Sequence, residues 1–190
     1  MSGQTGSGKS TLMSHILGLR RYVLVLRTKP DNVTYEGARV IRKAKAMDDP
    51  RGERFVLAPA YRDQQEEVAL ALERVWTQGG WTVYIDETFY LFEQLRLGPF
   101  VERLLTQGRS KNISVVCAMQ RPVRVTRFAI SEATHVIAFY LEGRDRKIMQ
   151  DAAGEELAEV GGQLERFSFG WYYRPTREVW TGRFQDLMGG

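Results

Sequence analysis

Gly3-Gln4-Thr5-Gly6-Ser7-Gly8-Lys9-Ser10 fits the pattern G-x-x-x-x-G-K-[ST] at every fixed position. Glycines at these places let successive backbone N–H groups turn inward and wrap a polyphosphate. Lys9 then reaches the β and γ phosphates, and the Ser10 hydroxyl supplies a ligand for Mg2+. The apolar stretch Thr11–Leu19 reads as a short helix, whose N-terminal dipole adds to the anion site. Gly3, Gln4, Thr5, Gly6, Ser7, Gly8, Lys9, Ser10 and Thr11 are therefore the candidate contacts to ATP, with Mg2+ as the second cofactor. A loop of this kind normally follows a strand, and only Met1-Ser2 precede it here. The expectation is a truncated start, with the first strand of the sheet missing and the neighbouring strand edges short of a partner.

Working outward, Tyr22–Arg27 is a compact apolar run of strand length, followed by a loop over Thr28–Glu36 with Pro30, Asp31 and Asn32. Arg39–Arg42 and Arg54–Ala58 read as short strands flanking the charged stretch Lys43–Gly52. Asp63–Gln78 is a helix, with Val68, Leu72, Val75 and Trp76 at helical spacing and Gly79-Gly80 ending it. Trp81–Asp86 is the next strand. A helical region spans Phe89 to Gln107, divided at Gly98-Pro99 with Pro99 starting its second part. Ile113–Met119 and His135–Tyr140 are further strands, Arg144–Ala153 is a helix, and Phe167–Tyr173 with Glu178–Trp180 forms a terminal antiparallel hairpin. Short apolar strands alternating with helices predict an α/β fold, a parallel sheet covered on both faces in one domain over 1–190.

The chain has 190 residues, 43% hydrophobic and 26% charged, which suits an ordinary globular protein with a real core. No apolar run has the length of a membrane span, and the N-terminus carries no signal-peptide pattern. The one cysteine, Cys117, lies inside an apolar run and reads as a buried strand thiol. With no disulfide possible within the chain, a reducing, cytoplasmic compartment is expected. The net charge of +4 permits nucleic-acid binding without proving it.

Val83-Tyr84-Ile85-Asp86-Glu87 is a strand ending in two carboxylates. At such a strand end Asp86 is placed to hold Mg2+, directly or through water, and Glu87 to polarise an attacking water as general base. The pair favours hydrolysis, since a nucleotide kinase needs no water-activating Glu.

The stretch from Gln107 to Pro122, QGRSKNISVVCAMQRP, runs through Arg109 into an apolar strand that finishes in Gln120-Arg121-Pro122. With the loop Gly3–Ser10, the acidic strand Val83–Glu87 and the strand in Ser131–Tyr140, it resembles the FtsK–HerA superfamily of DNA-translocating and DNA-packaging ATPases. The likeness is greatest to the compact packaging ATPases of viruses and phages, and least clear over Thr28–Gly52. It implies an additional-strand, RecA-like P-loop sheet. It implies that Gln120 is a polar sensor beside the γ-phosphate, an amide that can both donate and accept. It implies that Arg109 is an arginine finger reaching the nucleotide of an adjacent subunit, a role that Arg103, Lys111 or Arg121 could also fill.

Arg121, Arg124 and Arg127 could contact DNA phosphates or a neighbouring subunit, or form a solvated basic loop. His15 and His135 read as structural, and the alternating aromatics Phe167, Phe169, Trp171 and Tyr173, with Tyr172, as packing. The resemblance implies a Mg2+-dependent ATPase that moves double-stranded DNA as a homo-oligomeric ring, a hexamer, with a capsid or secretion partner. The alternatives are an assembly or secretion ATPase of a conjugation or phage-extrusion system, and a nucleotide or small-molecule kinase.

Overall fold

The computed structural model describes residues 1–3, 6–29, 33–48, 52–122, 127–183 and 186. They form two compact units, Met13–Ala118, and Met1–Leu12 together with Met119–Gly190. Helix α1 (Lys9–Gly18) begins in one and ends in the other.

The unit Met13–Ala118 is built on a five-stranded sheet. Its strands are β1 (Val23–Leu26), β2 (Arg39–Ile41), β3 (Arg54–Leu57), β4 (Thr82–Ile85) and β5 (Ser114–Cys117), in the order β2-β3-β1-β4-β5. Every pairing is parallel. The central strand sets Leu24 between Phe55 and Val83, Val25 between Val56 and Tyr84, and Leu26 between Leu57 and Ile85. Every residue of β1 and β4 is buried, which is why both read as unbroken apolar runs rather than alternating ones.

The sheet carries α2 (Gln64–Gln78) and α3 (Gly98–Gln107). The apolar stripe of α2 is Val68, Ala71, Leu72 and Val75, all buried. Trp76, expected on the same stripe, is only half-buried and lies under the Arg103 guanidinium at 3.9 Å. Gly79 ends α2 with φ 68° and its N–H bonded to Val75 O at 2.9 Å. A side chain there would meet Lys111 O at 2.8 Å, so glycine is required twice over. The region after β4 divides as expected, into a π-helical turn Tyr90–Gln94 and then α3 with Pro99 in its first turn.

The other unit holds a three-stranded antiparallel sheet of β6 (His135–Ala138), β7 (Ser168–Tyr173) and β8 (Glu178–Arg183), in that order. The terminal hairpin β7–β8 is as the sequence implies. The strand β6, expected in the parallel sheet, pairs antiparallel with β7, Val136 opposite Tyr172. Helices α4 (Arg127–Ser131), α5 (Gly143–Ala153) and α6 (Glu155–Gln163) complete the unit.

Residue patterns do not reveal α6, because Gly161-Gly162 sit in its last turn and look like a break. The fold needs Gly161 for packing. A Cβ there would stand 2.8 Å from Leu141 Cδ1, and Leu141 N donates to Gly161 O at 2.8 Å.

Ahead of the glycine loop, Met1–Gly3 is paired on both sides. Ser2 bridges in parallel to both Met119 and Ala138. Ser2 N donates to Ile137 O at 2.8 Å and Phe139 N to Ser2 O at 2.8 Å. On the other side Met119 N donates to Met1 O at 2.9 Å and Gly3 N to Met119 O at 3.2 Å. Pairing here is confined to Met1–Gly3, and β5 and β6 each end their sheet among the described residues, so the expected edges have a partner only at this one point.

Candidate functional site

The glycine loop leaves this short paired segment at Gly3. A Cβ at Gly3 would lie 2.6 Å from Phe139 Cβ and 3.0 Å from Ser7 Oγ, so the backbone passes where no side chain fits. Gly6 and Gly8 hold φ of 78° and 96°, the left-handed region that glycine enters without strain. Such turns direct consecutive N–H groups into one concavity. Helix α1 opens at Lys9, and Leu12 N donates to Gly8 O at 3.0 Å as its first turn forms. Lys9 is 9% exposed, and its Nζ donates back to Gly3 O at 2.5 Å, across the mouth of the loop. Ser7 Oγ is buried and has no partner among the described residues. A glycine cradle at positive φ, with a buried cation and a hydroxyl unpaired among the described residues, is suited to an anion with several oxygens.

Ser10 is half-buried and Thr11 exposed on α1, while Gln4 and Thr5 lie outside the described residues. Gln120 is exposed and directly follows Met119, the residue that pairs with Ser2 and Gly3. Gln120 and the start of the loop therefore issue from neighbouring paired segments.

In the unit Met13–Ala118, Asp86 and Glu87 follow β4 at its carboxyl end. The ladder continues past them: Ala118 N donates to Ile85 O at 2.8 Å, and Thr88 donates to Ala118 O from its N at 3.0 Å and its Oγ1 at 2.8 Å. Thr88 is fully buried, so both carboxylates sit on a segment clamped before and after. Tyr84 Oη donates to Asp86 Oδ1 at 2.7 Å. Lys29, just past β1, places Nζ 3.2 Å from Glu87 Oε2 and 3.6 Å from Asp86 Oδ2. Burial acts to lower the Lys29 pKa, but the two carboxylates outweigh it and the net displacement is upward. Lys29 and Tyr84 were not singled out in the sequence. Lys29 sits in a stretch that reads as loop, and the adjacency of β1 and β4 is not legible from residue patterns.

Arg109 lies in the 3-10 turn Gly108–Lys111, exposed, its guanidinium without hydrogen bond or ion pair to any described residue. The other cations weighed for its role are engaged. Arg103 bonds Glu73 at 3.2 Å and covers Trp76, Lys111 also lies over Trp76, and Arg121 pairs with Asp145 at 2.9 Å. Arg124 and the side chain of Arg127 lie outside what the structure describes.

His15 is exposed on α1. His135 stacks on Tyr173 at 4.8 Å and accepts from Trp171 Nε1 at 3.1 Å, and no group of three or more His, Cys, Asp or Glu suited to a metal occurs among the described residues. Cys117 is buried in β5, and burial pushes its thiol pKa up.

No family model matches the chain. It is 33% identical over 165 residues to DNA packaging ATPase P9 of Enterobacteria phage PRD1, spanning 83% of this chain and 70% of that protein. This chain belongs to the P9 family of phage DNA-packaging ATPases. Solved structures agree on the fold. The genome packaging NTPase B204 of Sulfolobus turreted icosahedral virus 2 superposes with a TM-score of 0.76 in its complex with ATP-gammaS, at 19% identity over 96% of this chain and 94% of that one. Its sulfate complex gives 0.80 at 16% identity, over 96% and 93% of the two chains. The resemblance to compact viral and phage packaging ATPases is therefore borne out, as is the P-loop NTPase fold class with its parallel sheet and antiparallel strands. Among the described residues no helix is long and apolar enough to cross a membrane.

Proposed function

We propose that the chain hydrolyses ATP to drive double-stranded DNA into a viral capsid, acting in the host cytoplasm as a homo-oligomeric ring, a hexamer, with the capsid as partner and 1–190 as one ATPase domain. The observation that carries this is the cradle of Gly6 and Gly8 at positive φ with the buried Lys9, in a chain related to a packaging ATPase. The backbone N–H groups from Gly3 to Thr11, Gln4 and Thr5 included, are assigned to the phosphates. Lys9 is assigned to the β and γ oxygens, where its ammonium neutralises charge developing on the leaving phosphate.

Glu87 takes a proton from the attacking water, and Gln120 orients that water or the γ-phosphate through its amide. Arg109, whose guanidinium has no hydrogen bond or ion pair to any described residue, is assigned to the nucleotide of a neighbouring subunit. Ser10 and Asp86 fit Mg2+ by donor chemistry: a hydroxyl and a carboxylate are hard oxygen ligands, and this ion takes one or two of them beside water and phosphate. When bound, Mg2+ screens the phosphate charge. Arg121 is held by Asp145, which supports a positioning role more than a free phosphate contact.

The test is Glu87→Gln. It is expected to keep ATP binding and lose hydrolysis by about 100-fold or more, within the range for general acid–base groups. Retained turnover overturns the reading. Salt-sensitive stimulation of the wild-type rate by duplex DNA separates the motor from the kinase alternative.

A further inference from the structure

We propose that Lys29 is a positioning residue for the acidic strand end, a cationic tether that fixes the Glu87 carboxylate for its work on water. The inference rests on the reading of Glu87 as the base. Strands β1 and β4 are parallel neighbours, with β3 beyond β1 and β5 beyond β4. After β1 the chain adds strands on one side of it, and from β4 onward on the other. Such a reversal opens a crevice at the carboxyl ends of the two strands. Lys29 follows one of them, and Asp86 and Glu87 follow the other.

Asp86 and Glu87 are adjacent carboxylates, 10% and 17% exposed, whose mutual repulsion would swing Glu87 away from Asp86. The Lys29 ammonium lies within reach of both, nearer to Glu87, and holds the two together. Its own origin is fixed by a buried amide. Gln64, 5% exposed, donates from Nε2 to Thr28 O at 2.8 Å and accepts at Oε1 from Tyr90 Oη at 2.9 Å. Thr28 immediately precedes Lys29, and Tyr90 opens the π-helical turn just beyond Glu87. One side chain thus sets the spacing of the segment that carries the tether and the segment that carries the base. An ion pair at this exposure contributes little to folding, whereas misplacing a base by about 1 Å costs on the order of 100-fold in rate.

The experiment measures ATP turnover, fluorescent-ATP binding and thermal melting of the full chain as wild type, Lys29→Met, Lys29→Arg and Glu87→Gln. Lys29→Met is expected to lower kcat about 10- to 100-fold with KM and nucleotide affinity within about 3-fold. Lys29→Arg is expected to recover most of the rate. Combining Lys29→Met with Glu87→Gln is expected to add no further loss.

A wild-type kcat in Lys29→Met overturns the proposal, as does a loss of nucleotide affinity that matches the loss of rate. If Lys29→Met does not fold, Lys29→Gln carries the same measurement, and failure of both assigns Lys29 a structural role and overturns the proposal too. Turnover retained in Glu87→Gln instead sinks the catalytic reading itself, so the two failures are distinguishable.

Discussion

Tyr84 and Asp86 stand two residues apart on one face of β4 and its continuation, joined by the Tyr84 hydroxyl donating to Asp86 Oδ1 at 2.7 Å. Tyr84 is fully buried in the centre of the sheet, so its ring is held by packing on all sides. The hydroxyl thereby orients a carboxylate at the strand end, where backbone pairing alone would leave its rotamer open. A buried aromatic that reads as pure core is also the support of a proposed metal ligand.

Tyr84→Phe keeps the ring and removes this one bond. The loss is expected to cost about 1.5–3 kcal/mol in unfolding free energy, the range for hydrogen bonds to charged groups. The Mg2+ concentration for half-maximal turnover is expected to rise roughly 10-fold, as for a lost outer-shell partner of a ligand. Urea unfolding and a Mg2+ titration of the ATPase rate check the two parts. An unchanged Mg2+ requirement would detach Tyr84 from the site.

Two glycines of the loop are required for different reasons, one conformational and one steric. At Gly8, with φ 96°, alanine is strained by about 1–2 kcal/mol and biases the cradle away from its inward-facing N–H groups. Gly8→Ala is expected to weaken fluorescent-ATP binding at least about 10-fold and to lower the melting temperature by about 2–8 °C, the shift that strain of this size gives a chain of this length. At Gly3 the added methyl meets the buried Phe139, and overpacking of this kind costs about 1–3 kcal/mol. Gly3→Ala is therefore expected to lower the melting temperature as well as binding, which calorimetry reads directly.

His135 gives the three-stranded sheet a pH dependence. Partial desolvation against Trp171 and Tyr173 holds its imidazole below the ordinary value of 6.5, and Nδ1 can accept the Trp171 N–H only while it is unprotonated. The unfolded chain then binds the proton at a higher pH than the folded one, so stability falls as pH drops through that ordinary value and is fully present above it. Chemical denaturation from about pH 8 to about pH 5 is expected to show that slope, with His135→Phe flattening it. An identical slope in the variant would place the titration elsewhere.

The sequence by itself determined the chemistry of the loop. Lys9, Ser10 and the glycines are legible because phosphate wrapping demands those residue types at those spacings within one short segment. It also determined the strands β1 and β4 and the acidic strand end, because burial on both faces writes itself as an unbroken apolar run. Only the tertiary structure decided which strand ends are neighbours.

The pairing of Leu26 with Ile85 brings Lys29 beside Glu87, and the bridges from Ser2 to Met119 and Ala138 pair the segment that enters the loop on both sides. Helix α6 stayed hidden for a related reason, since Gly161 answers to Leu141 across the fold and not to its own neighbours. Residue patterns record what each segment buries. They carry no record of which distant segment it is buried against, and the spacing of Lys29, Gln64 and Tyr90 around the acidic pair is a property of that second kind.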